Sequence, residues 1–348
     1  MHHPDSSPRR FWIGGYTADM GGNAQGIMEV TRGADGRLGE PRLVATSASP
    51  SYLVRSGRML LAANEGTARV SAFAVEDGAL RPVSEVSAAG GSPCALTVSP
   101  GLLFTASYGD GAVGVHELDA SGVPGAVAQR LHSAAETAAS SPRVTAGPHP
   151  AQDGPHAHDV LVVPSGTDLP AVVLTADLGA DRVFVHDLID GRLIQRAEVS
   201  LPPGTGPRDL LLHPSGYVLM LGELSNRLHV LDGPSYRDAG SVALPGAQPH
   251  DQAAGLQFSA DHRFVYTGLR GSNRIAVVAV SEDGATLEPV ASVSCGGEWP
   301  RHLVVENGWL HVANQLSNSI VTFELGDDGI PSQHSVADMP SPTYVLPD

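Results

Sequence analysis

Residues 154–166 read Gly-Pro-His-Ala-His-Asp-Val-Leu-Val-Val-Pro-Ser-Gly, a stretch in which two histidines lead into a short apolar run. The run 160–163 is too short for a helix and ends at a Pro-Ser-Gly turn signal, so it predicts a β-strand. Because side chains alternate across a strand, we expect His156 and His158 to point to the same side. Two titratable rings at the start of a buried strand suggest a functional site.

The same order of elements recurs along the chain: a proline-led strand, a turn, an apolar strand, a polar loop and an alternating strand. Six positions that end the second strand of each unit are equivalent: Asn64, Ser107, Asp177, Gly222, Leu269 and Asn314. They are separated by 43, 70, 45, 47 and 45 residues. A period in the mid-forties with several strands per repeat is typical of a propeller blade. The long gap indicates one blade plus an insertion at residues 132–154, whose Ala/Ser/Pro-rich composition predicts a loop.

The two ends of the chain supply a seventh unit. Residues 11–16 and 26–30 match the second and third strands of a unit but lack the proline-led first strand. The C-terminal sequence Pro342-Thr-Tyr-Val-Leu offers the missing strand. Joining both ends would remove the exposed edges of an open sheet. We therefore predict one all-β domain over residues 1–348, a seven-bladed β-propeller of four-stranded antiparallel blades closed by strands from both termini, with residues 1–10 disordered.

Composition excludes several classes of function. The formal net charge of −16 speaks against nucleic-acid binding and against association with an anionic membrane. The chain contains no lysine, which rules out Schiff-base chemistry and a phosphate-binding P-loop. An anionic substrate would therefore have to be bound by arginines.

Cysteine usage and the N-terminus bear on location. Cys94 and Cys295 are far apart and fit no metal or redox spacing, as is usual in a reducing compartment. Residues 1–10 carry no apolar segment of the kind found in secretory signals, and no apolar run reaches transmembrane length. We expect a cytoplasmic protein that is a monomer or a weak homodimer.

Polar side chains are predicted to converge at one mouth of the central channel. The first and second strands of a blade are antiparallel neighbours, so the start of one and the end of the other share a face of the ring. The strand starts provide Tyr52, His156, His158, Arg208, Arg301 and His302. The second-strand ends provide Asn64, Glu65, Tyr108, Asp177, Glu223, Arg270 and Gln315. The inserted loop 132–154 leads into this face and is expected to cover the mouth.

Simpler interpretations of these residues compete with a catalytic one. The two histidines would suit a metal ion, but the sequence fixes no third carboxylate or thiolate ligand near them, so we predict no metal. Asn64 and Asp177 are expected to cap turns between strands. The arginines and the glutamate could also form a structural salt-bridge network around the channel.

The chain resembles the lactonase family of seven-bladed propellers, which includes 6-phosphogluconolactonase and carboxy-cis,cis-muconate cyclase. The likeness covers nearly the whole chain and rests on Pro155-His-Ala-His, Gly206-Pro-Arg-Asp with Gly222-Glu-Leu-Ser-Asn, Leu269-Arg-Gly, and Pro300-Arg-His with Ala313-Asn-Gln. Two positions depart from the family pattern. Asp209 stands where the family usually has histidine, and Gly222 stands where it usually has asparagine, so the identity of the substrate is the open question.

The resemblance implies hydrolysis of a sugar-acid lactone, with 6-phosphogluconolactone as the leading substrate. This chemistry needs a base for water, donors for the oxyanion and a clamp for the anionic substituent. His158 or Glu223 is the predicted base, and Arg208 and Arg301 are the predicted clamp, with no metal or organic cofactor. The residues expected to line the substrate site are His156, Tyr52, Tyr108, Arg270, His302 and Gln315. Two alternatives remain: a cyclase that forms a lactone from a muconate-type dicarboxylate, and a propeller that binds a ligand without catalysis.

Overall fold

The computed structural model describes residues 9–76, 78–132, 147–164 and 170–348. Within these residues, 28 strands form seven four-stranded antiparallel sheets. Six sheets contain four consecutive strands, and in the remaining sheet the C-terminal strand joins the first three. The predicted all-β, seven-bladed propeller is confirmed. No helix in the described part of the chain is long and apolar enough to cross a membrane.

The first blade begins with β1 (Arg9–Gly15), β2 (Gly26–Arg32) and β3 (Arg42–Thr46). The second contains β4 (Pro50–Ser56), β5 (Met59–Asn64), β6 (Arg69–Glu76) and β7 (Ala79–Ser87). The third contains β8 (Pro93–Ser99), β9 (Leu102–Ser107), β10 (Ala112–Leu118) and β11 (Pro124–His132). The fourth contains β12 (Ala157–Val163), β13 (Val172–Asp177), β14 (Arg182–Ile189) and β15 (Arg192–Ser200).

The fifth blade contains β16 (Pro207–Leu212), β17 (Val218–Gly222), β18 (Arg227–Leu231) and β19 (Asp238–Ala243). The sixth contains β20 (Gln252–Phe258), β21 (Phe264–Arg270), β22 (Arg274–Val280) and β23 (Leu287–Ser294). The seventh contains β24 (Pro300–Glu306), β25 (Trp309–Asn314), β26 (Ser319–Leu325) and β27 (Pro331–Asp338). The last strand, β28 (Pro342–Pro347), completes the first blade.

Ring closure follows the prediction, with one correction at the N-terminus. β28 pairs antiparallel with β1, placing Trp12 opposite Leu346. Residues 9 and 10 were expected to be disordered, but they begin β1 and pair with residues 32 and 31 of β2. Both arginines have acidic partners, since Arg9 lies 3.6 Å from Glu306 and Arg10 lies 3.5 Å from Asp348. Residues 1–8 lie outside the described part of the chain.

The hydrophobic core lies between neighbouring blades. Both faces of an inner strand are covered by adjacent sheets, so such strands are apolar without interruption. All five residues of β17 are buried, for example. Leu219 and Leu228 of the fifth blade pack with Val265 of the sixth in one apolar cluster. This packing fixes the inner strands around the channel and therefore fixes the residues at their ends.

The insertion was predicted to begin at residue 132, but that residue is the last of β11, where it pairs with Ala112, so the predicted loop began one residue too early. Residues 133–146 lie outside the described residues, so whether the loop covers the mouth remains a prediction. Residues 147–154 contain no strand. Within them, the fully buried Gln152 donates to the Leu178 carbonyl at 2.9 Å and to Asp181 Oδ1 at 2.8 Å. This end of the insertion is thus anchored to the fourth blade.

Candidate active site

A β-bulge near the start of every first strand directs side chains into the channel. The register against the neighbouring strand shifts at this position in all seven blades. Bulges redirect side chains and occur frequently beside active sites. Residues at these shifts line one channel cavity: Ser51, Cys94, His158, Arg208, Gly255, Arg301 and Thr343. Its volume is about 30 Å³, which is room for only one or two water molecules. A sugar-sized ligand would therefore sit at the mouth rather than inside the channel.

The residues that end or follow the second strands form a rim above the bulges. In six blades, the backbone N–H of the residue that follows the second strand donates to the carbonyl of the residue before the first strand. The bonds are Tyr16 to Ser341, Glu65 to Ser49, Tyr108 to Ser92, Leu178 to His156, Glu223 to Gly206 and Gln315 to Trp299, at 2.8–3.1 Å. These bonds hold the rim side chains beside the channel, as predicted from the antiparallel pairing of first and second strands.

Glu223 lies at the centre of a cluster of buried charges. Its Oε2 atom is 2.7 Å from Arg208 Nη1 and 2.8 Å from Arg270 Nη2. The same Arg208 nitrogen donates to Nε2 of His158. All four side chains are buried. The structure thus brings together three of the four residues predicted to be catalytic, together with Arg270.

The charges of this cluster fix its protonation states. Burial alone would raise the pKa of Glu223, but Arg270 and Arg208 outweigh burial and hold that pKa below its usual range. Burial, reinforced by Arg208, Arg301 and Arg270, lowers the pKa of His158 well below its ordinary value. At neutral pH Glu223 is therefore a carboxylate. His158 is neutral, and its Nε2 carries no proton because it accepts the bond from Arg208.

Arg301 belongs to a second group on the opposite side of the channel. It donates to the hydroxyl of Tyr16, which in turn donates to Glu65 Oε2 at 2.8 Å. The Arg301 guanidinium lies 4.8 Å from the centre of the Tyr16 ring and 3.8 Å from Glu65 Oε2. Arg301 is less tightly bound to a carboxylate than Arg208, which leaves it more able to take a ligand anion.

Tyr52 and His302 follow the bulge residues and lie in the channel wall. Both pack against Tyr344, with ring centres 4.2 and 3.9 Å from its own. Burial lowers the pKa of His302 to about 3, so its ring is neutral. His302 Nδ1 also accepts the backbone N–H of Val345 at 3.3 Å. These two predicted substrate residues therefore form the cavity wall with His158 and Arg208, and their role in binding stays a prediction.

His156 and Tyr108 stack together at the rim. Their ring centres are 4.3 Å apart. Both nitrogens of His156 have protein partners, since Nδ1 is 2.6 Å from the Tyr108 carbonyl and Nε2 is 2.9 Å from Asp153 Oδ1. His156 precedes β12, whose register shifts between Ala157 and Asp159. Regular alternation therefore does not apply, and the two histidines have different surroundings.

The other predicted rim residues have mainly local contacts. Asp177 accepts the N–H groups of His156 and Ala180, as expected for a turn cap. The cap predicted for Asn64 is wrong, because its side chain bonds to Ser47 and Ser71 instead. Gln315 has a buried Oε1 atom without a hydrogen-bond partner among the described residues.

Three residues beside the cluster were not singled out from sequence. Tyr16 follows β1 at the position that Glu65 and Glu223 occupy in their own blades, so alignment of the first, incomplete repeat would have found it. Trp299 places its ring 5.5 Å from the Arg270 guanidinium. Asp159 is enclosed near Asp209, and burial together with that neighbour raises its pKa to about 7. No sequence signal marked these last two.

The arrangement brings a carboxylate and a neutral imidazole together with donors for an anion. Among the described residues, no group of three or more histidine, cysteine or acidic side chains is placed to hold a metal ion. Three guanidiniums offer more N–H donors than Glu65 and Glu223 can accept. The surplus donors are suited to a carboxylate or a phosphate ester.

Comparison with known proteins agrees with the geometry. Residues 10–347 match the family model described as "Lactonase, 7-bladed beta-propeller". The chain is 30% identical over 331 residues to 6-phosphogluconolactonase of Bacillus subtilis, covering 90% of each chain. It superposes on the periplasmic gluconolactonase of Pseudomonas aeruginosa with a TM-score of 0.86, 28% identity and coverage of 98% and 99%. A Lactobacillus plantarum protein gives a TM-score of 0.86 at 25% identity, with the same coverage. The chain therefore belongs to the lactonase family of seven-bladed β-propellers, and it is an enzyme of the lactonase class.

Proposed function

We propose that the protein hydrolyses a sugar-acid lactone carrying an anionic substituent, with 6-phosphogluconolactone as the substrate and 6-phosphogluconate as the product. The observation that carries this proposal is the convergence of Arg208 and Arg270 on one oxygen of Glu223. The Arg208 nitrogen that contacts Glu223 also donates to His158. A carboxylate, a neutral imidazole and several guanidiniums thereby meet at one mouth. The similarity to the Bacillus subtilis 6-phosphogluconolactonase supports the phosphorylated substrate.

The reaction can be written with these residues. Glu223 takes a proton from water as the water oxygen bonds to the lactone carbonyl carbon, and arginine N–H groups stabilise the oxyanion. The ring carbon–oxygen bond then breaks, and the proton returns from Glu223 or through His158 to the leaving ring oxygen. The new carboxylic acid ionises and releases one proton to solvent. Arg301 and Arg208 hold the anionic substituent throughout.

Substrate binding should also improve the base. In the ligand-free cluster, the arginines lower the pKa of Glu223, and burial together with the arginines lowers the pKa of His158, which makes both groups weak bases. A bound phosphate would neutralise part of the arginine charge. Both pKa values would then rise towards the working pH, where a general base is most effective. A phosphorylated lactone should therefore raise kcat as well as lower KM.

The test is acid release from two lactones that differ only in the phosphate. We expect kcat/KM for 6-phosphogluconolactone to exceed that for glucono-δ-lactone by about 100-fold or more, because charge-assisted bonds contribute about 1.5–3 kcal/mol each. Spontaneous hydrolysis is measured without enzyme and subtracted. Equal kcat/KM values for both lactones would contradict the anionic substrate, while leaving the lactonase class intact.

A further inference from the structure

The backbone of Trp299 has an unusual conformation immediately before Pro300. Its φ angle is 65°, in the left-handed region. Four other blades have the same conformation at the residue before the proline, at Ser49, Ser92, Gly206 and Ser341, with φ between 34° and 61°. The fold therefore requires a left-handed residue here, and those four blades meet the requirement with serine or glycine. A bulky residue in this region is an outlier, so tryptophan at this position needs another explanation.

The contact between the Trp299 side chain and Arg270 offers an explanation for tryptophan at this position. The guanidinium carbon of Arg270 lies 5.5 Å from the centre of the Trp299 ring. Arg270 Nε donates to the Gln252 carbonyl at 3.0 Å, and Nη2 lies 2.8 Å from Glu223 Oε2. A carbonyl, a carboxylate and an indole thus surround one guanidinium. Among the described residues, Nη1 has no hydrogen-bond or ion-pair partner, which leaves it for a ligand oxygen.

We propose that Trp299 is a positioning residue: its indole fixes the Arg270 guanidinium against Glu223, with one nitrogen directed at the substrate anion. The identity of that anion rests on the proposed function. An arginine side chain loses considerable rotamer freedom when it is held in one place. Packing and a cation–π contact with the indole already restrict the Arg270 side chain in the free protein, so it loses less rotamer freedom when the anion binds. The blade tolerates a strained backbone at this position because the ring improves anion binding.

The proposal predicts opposite effects on stability and on substrate binding. Trp299→Ser installs the residue found in three equivalent blades, so Tm should equal or exceed that of the wild type. The KM for 6-phosphogluconolactone should rise about 5–20-fold with kcat within about 3-fold, in the range of a desolvated cation–π contact. Glucono-δ-lactone, which lacks the phosphate, should show less than about a 2-fold change in KM. Trp299→Phe keeps an aromatic face and should restore most of the affinity.

A double-mutant cycle separates a positioning role from a structural one. If Trp299 acts through Arg270, adding Trp299→Ser to Arg270→Gln should raise KM by less than about 2-fold further. Additive effects of the two changes would overturn the proposal. So would a large fall in Tm for Trp299→Ser with equal loss of both substrates.

A binding measurement keeps this test independent of the proposed reaction. Should the wild type fail to hydrolyse 6-phosphogluconolactone, calorimetry with inorganic phosphate compares the wild type, Trp299→Ser and Trp299→Phe. Weaker phosphate binding in the serine variant, restored in the phenylalanine variant, supports the positioning role. Identical phosphate titrations in all three proteins overturn it.

Discussion

Glu65 and Glu223 occupy the same position in two blades, yet the channel gives them different surroundings. Each follows a second strand, each donates its backbone N–H to the residue before a first strand, and each is buried. Glu223 has two arginines on one oxygen, at 2.7 and 2.8 Å. Glu65 instead accepts the hydroxyl of Tyr16, and its arginine lies 3.8 Å away. The repeat therefore sets where a side chain lies, and the residues that its own blade and nearby blades place around it determine its chemistry.

The largest expected effect separates the two glutamates directly. Glu223→Gln should lower kcat about 10²–10⁴-fold, because loss of a positioned base has effects of this size. Glu65→Gln should lower kcat by less than about 10-fold, because the glutamine oxygen can still accept the Tyr16 hydroxyl and only the negative charge near Arg301 is lost. Steady-state acid release from 6-phosphogluconolactone measures both, with thermal melting as the control for folding. Equal losses in the two variants would contradict the division of roles.

Arg301 and Arg208 should also differ in how their substitution changes KM and kcat. Arg301→Gln should raise KM for 6-phosphogluconolactone about 10–100-fold with little change in kcat, since Arg301 has the freer guanidinium. Arg208→Gln should lower kcat as well, because Arg208 contacts both Glu223 and His158. It should also lower Tm, because removal of Arg208 leaves Glu223 with one guanidinium fewer. Initial rates over a range of substrate concentrations separate the two outcomes. If the KM and kcat effects were the same in both variants, the two arginines would have one shared role.

A smaller effect is expected at Tyr16. Tyr16→Phe removes the hydroxyl that joins Arg301 to Glu65 and keeps the ring beside the guanidinium. Because a net hydrogen bond contributes about 1 kcal/mol, KM for the phosphorylated lactone should rise about 3–10-fold. Tyr217→Phe is a matched control, since Tyr217 precedes β17 at the end opposite the rim and packs against the apolar cluster between the fifth and sixth blades. Similar KM changes in both variants would show that the Tyr16 hydroxyl does not position Arg301 for substrate binding.

The smallest expected effect concerns Asp159, on the Glu223 side of the channel, and is a change in thermal stability rather than in activity. Burial and Asp209 raise the pKa of Asp159 to about 7, whereas the unfolded value is about 3.9. Between these values the unfolded chain binds fewer protons at this site, so Asp159 destabilises the fold progressively as pH rises from 4 to 7.

Asp159→Asn removes this titration. The Tm of the variant relative to the wild type should therefore rise between pH 4 and pH 8, by about 2–4 °C. The Asp159 carboxylate accepts the N–H groups of Val160 and Leu210, one on each oxygen. The single amide oxygen of asparagine can replace only one of these acceptors, and this loss lowers Tm equally at all pH values. The pH dependence is thus the informative quantity. A difference in Tm that stays constant across this range would show that Asp159 does not titrate there.

The repeat was sufficient to predict the fold. The proline-led strands, the mid-forties period and the unmatched C-terminal strand at Pro342 gave the blade number and the closure, and β28 lies where the sequence placed it. Arg9 and Arg10 were missed as strand residues because the acidic side chains that pair with their guanidiniums, Glu306 and Asp348, are about 300 residues away in sequence.

The candidate site was predicted in position but not in detail. Antiparallel pairing placed Arg208 and Glu223 at the same end of one hairpin, and they touch. The bulges that turn His158 and Arg301 into the channel leave no mark in composition or periodicity. The stacking of Trp299 on Arg270 depends on a backbone angle that a Trp-Pro sequence does not reveal. That stacking is a contact between two blades, which a single repeat does not contain.

A crystal structure with bound 6-phosphogluconate tests the central claim most directly, because it locates both the anion clamp and the base on one molecule. We predict the phosphate within about 3 Å of nitrogens of Arg301 and Arg208, and the newly formed carboxylate on the Glu223 side of the channel mouth. Product bound away from the channel mouth, with the Arg208–Glu223–Arg270 contacts unoccupied by any ligand oxygen, would contradict it and leave those charges as a structural network.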